Sequence, residues 1–305
     1  MEGLLPIWKE IGMTSHDVVY KLRKILQTKK IGHSGTLDPD VDGVLPIAIG
    51  KATKTIEYMM DSEKVYTGEI TLGFSTTTED RSGEIVDRKA VLEPITEEQI
   101  DGILNSFLGD IKQTPPMYSA VKVNGRRLYE YAREGKEVER PSRIARIDSF
   151  ERTSSPEVND EEHTVRFTFE VHCGKGTYVR TLAVDVGKAL GYPAHMSQLT
   201  RESSGGFTRK QAFTLEEVKE LMASGKIGEE LFPLESALEH FPKHELTEDE
   251  YRIVKDGARL DREQYFSESD EKMVFMYKGK AVAIYGIHPT KDQVIKPIKV
   301  LRNEL

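Results

Sequence analysis

The sequence predicts an α+β fold, with one large domain and a small β-rich one at its C-terminal end. Strand-like alternation over residues 65–73 and 165–173 is interleaved with amphipathic helices. Those helices are announced by the capping pairs Thr14/Asp17, Thr96/Gln99 and Thr214/Glu217. At 305 residues the chain is long for a single core. Near residue 240, acidic helical sequence (LTEDEYRIVKDG) gives way to short β-like runs, MVFMYKGKAVAIYGI and VIKPIKVL, which read as a separate unit.

The elements follow in order. Residues 3–8 (GLLPIW) read as a short buried strand. Thr14 to Asp17 opens a helix with the apolar stripe Val18, Leu22, Ile25 and Leu26. Residues 32–43 hold three glycines and a proline, a loop with tight turns. The apolar run after Gly43 is a buried strand, and Pro46 predicts an edge or a bulge. Residues 51–60 read as a helix turning Ile56, Met59 and Met60 inward. In 65–73, Tyr66, Ile70 and Leu72 share one face, where a tyrosine is most often core. Residues 76–83 are a polar loop, and 96–108 a helix with Ile100, Ile103, Leu104 and Phe107 inward. Asn124-Gly125 signals a hairpin turn within the stretch 115–125. Residues 154–162 read as a surface loop. Val165, Phe167, Phe169, Val171 and Cys173 alternate onto one face, so Cys173 reads as core. A helix over 177–190 places Arg180 in its first turn, where a cation opposes the helix dipole unless it has an anionic partner.

Composition narrows the function. With 38% hydrophobic and 31% charged residues the chain is ordinary for a globular protein. A single cysteine excludes an internal disulfide framework and a Cys-rich zinc site. No apolar run reaches the length of a membrane span and no secretory leader is visible, so the expected location is cytoplasmic, away from membranes. The net charge of −8 argues against indiscriminate nucleic-acid binding, but the charge is unevenly spread. Residues 21–30 hold five basic side chains and no acidic one; residues 112–146 hold nine against four. Arg126, Arg127, Lys136, Arg140, Arg143 and Arg146 are interleaved with Tyr129 and Tyr131. That combination suits an RNA loop, since guanidinium binds phosphate and both groups stack on unpaired bases.

The candidate chemistry lies in GHSGTLDPDVDGVLPIAIG (32–50), a small polar loop leading into a buried strand and holding the short acidic Asp38. Taken alone, Asp38 is either a turn cap or a functional carboxylate. The run GHSGTLDP…GVLPIAIGKATK resembles the signature of the TruB family of tRNA pseudouridine synthases, and further matches extend over most of residues 1–230. The resemblance implies a catalytic domain (1–240) on a large mixed, mainly antiparallel sheet with flanking helices. It also implies a PUA-like RNA-binding domain (241–305) and an RNA-embracing insertion at about 118–146. Asp38 falls on the family's nucleophile, His33 on its loop histidine and Tyr66 on the tyrosine that stacks on the target base. Tyr178 and Leu199 fall on the uracil pocket, Arg180 on the partner of the aspartate, and Asp80 on a possible contributor. The implied reaction is isomerisation of a T-loop uridine in tRNA by base flipping. It would need no cofactor, metal, guide RNA or obligatory protein partner, and the protein would act as a monomer.

Three departures stand out. Glu10 replaces a proline in WKEIGMTSHD, a segment thought to buttress the catalytic loop. Asp40 and Asp42 occupy positions where small or apolar residues are usual, and are expected to face solvent, since nearby negative charge would raise the Asp38 pKa. Asp38, Asp40 and Asp42 also invite a rival reading as a cation loop, although the EF-hand glycine and distal glutamate are out of register. Two further rivals are a guide-RNA-dependent synthase, which would carry an N-terminal extension, and an RNA binder without catalysis.

Overall fold

The computed structural model describes residues 1–305. Strands Gly3–Lys9 (β1), Ile31–His33 (β2), Asp42–Ile49 (β3) and Lys64–Leu72 (β4) belong to a sheet of ten strands. Its main path runs β1, β3, Ala194–Ser204, β4, Thr164–Cys173, Arg143–Arg152 and Gly109–Gln113. Every pairing is antiparallel except that of Ala194–Ser204 with β3, which sets Thr200 opposite Asp42 and Arg201 opposite Gly43. Helices Ser15–Ile25, Glu97–Ser106, Val179–Leu190 and Leu215–Ala223 flank the sheet and share one apolar core with it. The capping boxes at Thr14, Thr96 and Thr214 all form. No helix is long and apolar enough to cross a membrane.

Two local expectations change. Strand β3 is interior, so Pro46 marks neither an edge nor a bulge: it lies opposite Pro6 of β1. The Pro46 carbonyl accepts from Ser34 N and the Pro6 carbonyl from Phe213 N. A strand residue's N and C=O point to the same side, so each proline turns its missing donor away from the other strand. On the β2 side Ser34 N reaches the Pro46 carbonyl, proline offers no return bond, and β2 ends at His33. Residues 51–60 are not one helix: a 3₁₀ stretch, Gly50–Thr55, precedes a single α-turn, Ile56–Met60. Tyr58 joins Met59 inside, while Ile56 and Met60 are only half-buried.

Beyond residue 240 lies a five-stranded sheet, Lys243–Glu245, Lys272–Tyr277, Lys280–His288, Lys291–Val300 and Leu260–Asp261. It is welded to the larger body instead of tethered to it. Val274, Met276, Ala281, Ile284 and Leu301 pack in one cluster with Leu4, Val44, Ala48, Tyr58, Met59 and Leu238. Buried Arg302 joins Glu2 (2.6 Å) and Glu235 (2.5 Å), and Lys54 donates to the Val300 and Leu301 carbonyls. Removal of residues 241–305 therefore uncovers β1 and β3 themselves. Five apolar side chains at roughly 1–3 kcal/mol each approach the whole stability of a domain, about 5–15 kcal/mol. A 1–240 fragment is expected to aggregate or to melt far below the full chain in a thermal denaturation scan. A fragment that melts with the full chain would show that this shared core contributes little.

Candidate active site

The loop between β2 and β3 carries Asp38 and is held from three sides. Ser15, at the start of its helix, donates through Oγ to the Leu37 carbonyl (3.1 Å) and accepts from Leu37 N (2.8 Å). Lys9, fully buried at the end of β1, donates to the carbonyls of Met13 (2.6 Å), Glu10 (3.1 Å) and Pro39 (3.4 Å). Pro39 O also accepts from Gly12 N at 2.8 Å. Burial lowers the Lys9 pKa, against the attraction of Asp42, Asp38 and Asp40. The Glu10 departure leaves this buttress whole, because the contact uses only the main chain at position 10 and the side chain is exposed.

Asp38, its side chain about half exposed at 46%, receives Arg180 Nη2 at 3.0 Å. Arg180 sits in the first turn of Val179–Leu190, as expected, and its dipole conflict is answered by two carboxylates, not one. Its Nη1 reaches Asp80 at 3.2 Å and the Thr78 carbonyl at 3.1 Å; Nη2 also reaches the Tyr118 carbonyl at 3.0 Å. Burial pushes the Asp80 carboxyl up, but hydrogen bonds from Ser82 and Thr78, with the Arg180 charge, outweigh it and leave it below the ordinary value.

Beside Asp38 opens a cavity of about 360 Å³, lined among others by Tyr66, Tyr178, Arg180, Leu199, Lys64 and Arg201. Tyr66 is buried and belongs both to the core and to this wall. Burial raises its phenol pKa, with Arg201 working against it. Tyr178 is fixed through its main chain by both amide atoms of Gln113 (3.0 and 3.2 Å). Its hydroxyl accepts from Arg143 at 2.9 Å. Cys173 is buried core, its thiol pushed up to about 11 by that burial. His33 does not line the cavity. It ends β2 half-buried, with Nδ1 enclosed and unpartnered, and burial holds its imidazole below the usual value.

Asp40 is exposed, as expected, whereas Asp42 is half-buried and its Oδ1 accepts from Thr200 Oγ1 at 2.6 Å. No group of three or more His, Cys, Asp or Glu side chains converges as a cation site, so the cation-loop rival has no geometry behind it. In the basic insertion, Arg126 is tied to Glu134 and Lys136 to the same carboxylate, while Arg127 and Arg133 lie over the Tyr129 ring. Arg126 and Lys136 are thus internally paired, and Arg143 is the basic residue of the insertion that lines the cavity.

A family model described as "TruB family pseudouridylate synthase (N terminal domain)" matches residues 23–179. A second, "tRNA pseudouridylate synthase B C-terminal domain", matches residues 180–239. The chain belongs to the TruB family of pseudouridylate synthases. Relatives named tRNA pseudouridine synthase B are similar over nearly their full length. That of Bacillus pumilus (strain SAFR-032) is 54% identical, covering 100% of this chain and 99% of its own. That of Bacillus subtilis (strain 168) is 50% identical over 99% and 98%. Among solved structures, a Cbf5-Nop10-Gar1 complex aligns with a TM-score of 0.74 at 28% identity, over 98% of this chain and 84% of that one. An H/ACA RNP bound to a substrate RNA containing 2′-deoxyuridine gives 0.71 at 25%, over 98% and 84%. In this TruB-family member the sequence does not single out Lys64 or Arg201, and Lys9 is only part of WKEIGMTSHD, with no partner assigned. All three are buried and all three bond to main-chain carbonyls, which leave no side-chain pattern to read.

Proposed function

We propose that this TruB-family chain converts one uridine in the T loop of tRNA to pseudouridine, acting alone and without a guide RNA. The observation that supports this most is the Asp38–Arg180 pair at 3.0 Å, opening on a cavity walled by Tyr66, Tyr178 and Leu199. Pseudouridine formation breaks the bond from uracil N1 to ribose C1′, turns the base, and rejoins it through C5. Asp38 is the nucleophile, presented as a carboxylate by Arg180. The target base leaves its stack to enter the cavity, where Tyr66 supplies a face for it and Tyr178 and Leu199 close the sides. His33, uncharged and beside the loop, fills the space the base vacates. The insertion at about 118–146 grips the T arm, and the C-terminal sheet serves as a PUA-like RNA-binding surface. The reaction calls on no metal and no redox cofactor. The protein works as a cytoplasmic monomer without an obligatory protein partner.

The test is an isomerase assay of the purified protein on an unmodified tRNA transcript, with pseudouridine resolved chromatographically. Formation at one T-loop uridine is expected with protein alone; product only after addition of a guide RNA would sink the stand-alone reading. Binding without product would leave an RNA binder. Tyr66→Leu should slow single turnover about 10- to 100-fold, because base–aromatic stacking contributes roughly 1–3 kcal/mol per base. Its tRNA affinity should stay within about threefold, since phosphate contacts dominate binding. Wild-type turnover in a folded Tyr66→Leu protein would assign Tyr66 to the core alone.

A further inference from the structure

Arg201 is 1% exposed and heads the largest fully buried side chains of the protein, yet no carboxylate lies within 4.0 Å of it. A buried cation without an anion is costly unless its donors are well used. Its Nε donates to the Val44 carbonyl (2.9 Å) and its Nη2 to the Gly35 carbonyl (3.0 Å). Residues 35 and 44 bracket Asp38, so one planar fork closes the two ends of the loop that carries the carboxylate. The main chain of Arg201 stands opposite Gly43 of β3 on one side and Tyr66 of β4 on the other.

Glycine is required at Gly43, and a side chain at Gly35 would be crowded. A Cβ on Gly43 would come within 2.3 Å of the Arg201 carbonyl oxygen, and one on Gly35 within 3.3 Å of Nη1. Gly35 (φ 80°) and Gly43 (φ 128°) also hold backbone angles that other residues avoid. Arg201 thus touches the strand of the stacking tyrosine, the root of the Asp38 loop and the start of that loop.

We propose that Arg201 is a positioning residue that fixes Asp38 and Tyr66 in one frame, acting through the Gly35 and Val44 carbonyls and not on the substrate. The catalytic part of this rests on the function proposed above; the clamp on the loop does not. A lysine keeps the charge but lacks the fork, so it holds one carbonyl and frees the other.

The experiment compares wild type with Arg201→Lys by hydrogen–deuterium exchange of the 35–44 peptide, single-turnover rate, tRNA affinity and thermal midpoint. Exchange in that peptide should rise at least about tenfold while peptides of the C-terminal sheet stay unchanged, as expected for a local opening. The rate should fall on the order of 10²-fold, the effect of a misplacement of about 1 Å, with affinity within about threefold. Wild-type exchange and rate in Arg201→Lys would overturn the proposal. So would exchange that rises throughout the molecule in step with the rate loss, which marks a purely structural residue. If Arg201→Lys does not fold, Arg201→Gln takes the same readouts; failure of both to fold also overturns it. A wild type without isomerase activity would sink the functional reading alone, because the exchange of the loop still reports the clamp.

Discussion

Purified Asp38→Asn is expected to form no detectable pseudouridine while binding tRNA within about tenfold of wild type. Asparagine matches the shape of aspartate but is neither anionic nor nucleophilic. Removal of a nucleophile can cost on the order of 10⁶-fold in rate. The structure makes this a clean substitution. Ser15 and Lys9 hold the loop through the main chain of Leu37 and Pro39, not through the Asp38 side chain. The side chain is half exposed, so the amide meets no large desolvation cost. Phosphate contacts, which supply most affinity for nucleic acid, are untouched. Intact-mass analysis guards against deamidation back to aspartate. Product from a verified Asp38→Asn protein would remove Asp38 from the nucleophile role.

The second large effect falls on Arg180. A guanidinium can hold one carboxylate through two parallel bonds. In the structure the fork is divided: Nη2 takes Asp38 and Nη1 takes Asp80, and each also takes a main-chain carbonyl. A lysine ammonium at the same place is a point charge with three donors and a shorter reach, and cannot span both carboxylates and both carbonyls. Arg180→Lys should therefore lose on the order of 10²-fold or more in single-turnover rate, with tRNA affinity nearly unchanged. Asp80 keeps its bonds from Thr78 and Ser82, so the polar loop should survive the change. Measuring rate and affinity side by side separates the alternatives. An intact rate with lost affinity would make Arg180 a phosphate contact and the pair with Asp38 irrelevant to catalysis.

What could be read from the chain has a local cause. A capping box is closed by residues three apart, so Thr14/Asp17, Thr96/Gln99 and Thr214/Glu217 announce helices that form. Alternation sorts side chains by face whatever the neighbouring strand, so Val165 to Cys173 are buried in turn. Arg180 was legible because a cation in a helix's first turn needs a partner, and the partner it found includes Asp38. His33 was placed by resemblance alone, and the structure leaves it outside the cavity.

The rest is decided by contacts between segments far apart in sequence. Strand β3 looks like an edge from Pro46, yet it is interior because β1 pairs with it on one side and β2 and Ala194–Ser204 on the other, with Pro6 opposite Pro46. The composition change near residue 240 suggests a separable unit, but burial is a property of pairs of surfaces, and Leu301 and Val274 complete a core begun by Leu4 and Val44. Arg201 reads as an ordinary basic residue, and Lys9 stands in the buttressing segment with no partner assigned, since what they bind is the main-chain oxygen of Pro39, Gly35 and Val44. By itself the sequence determined the capped helices, the alternating strands, the family and the candidate nucleophile. Only the tertiary structure decided what holds the Asp38 loop, because a carbonyl oxygen is the same at every residue and only folding brings a particular one to a particular cation.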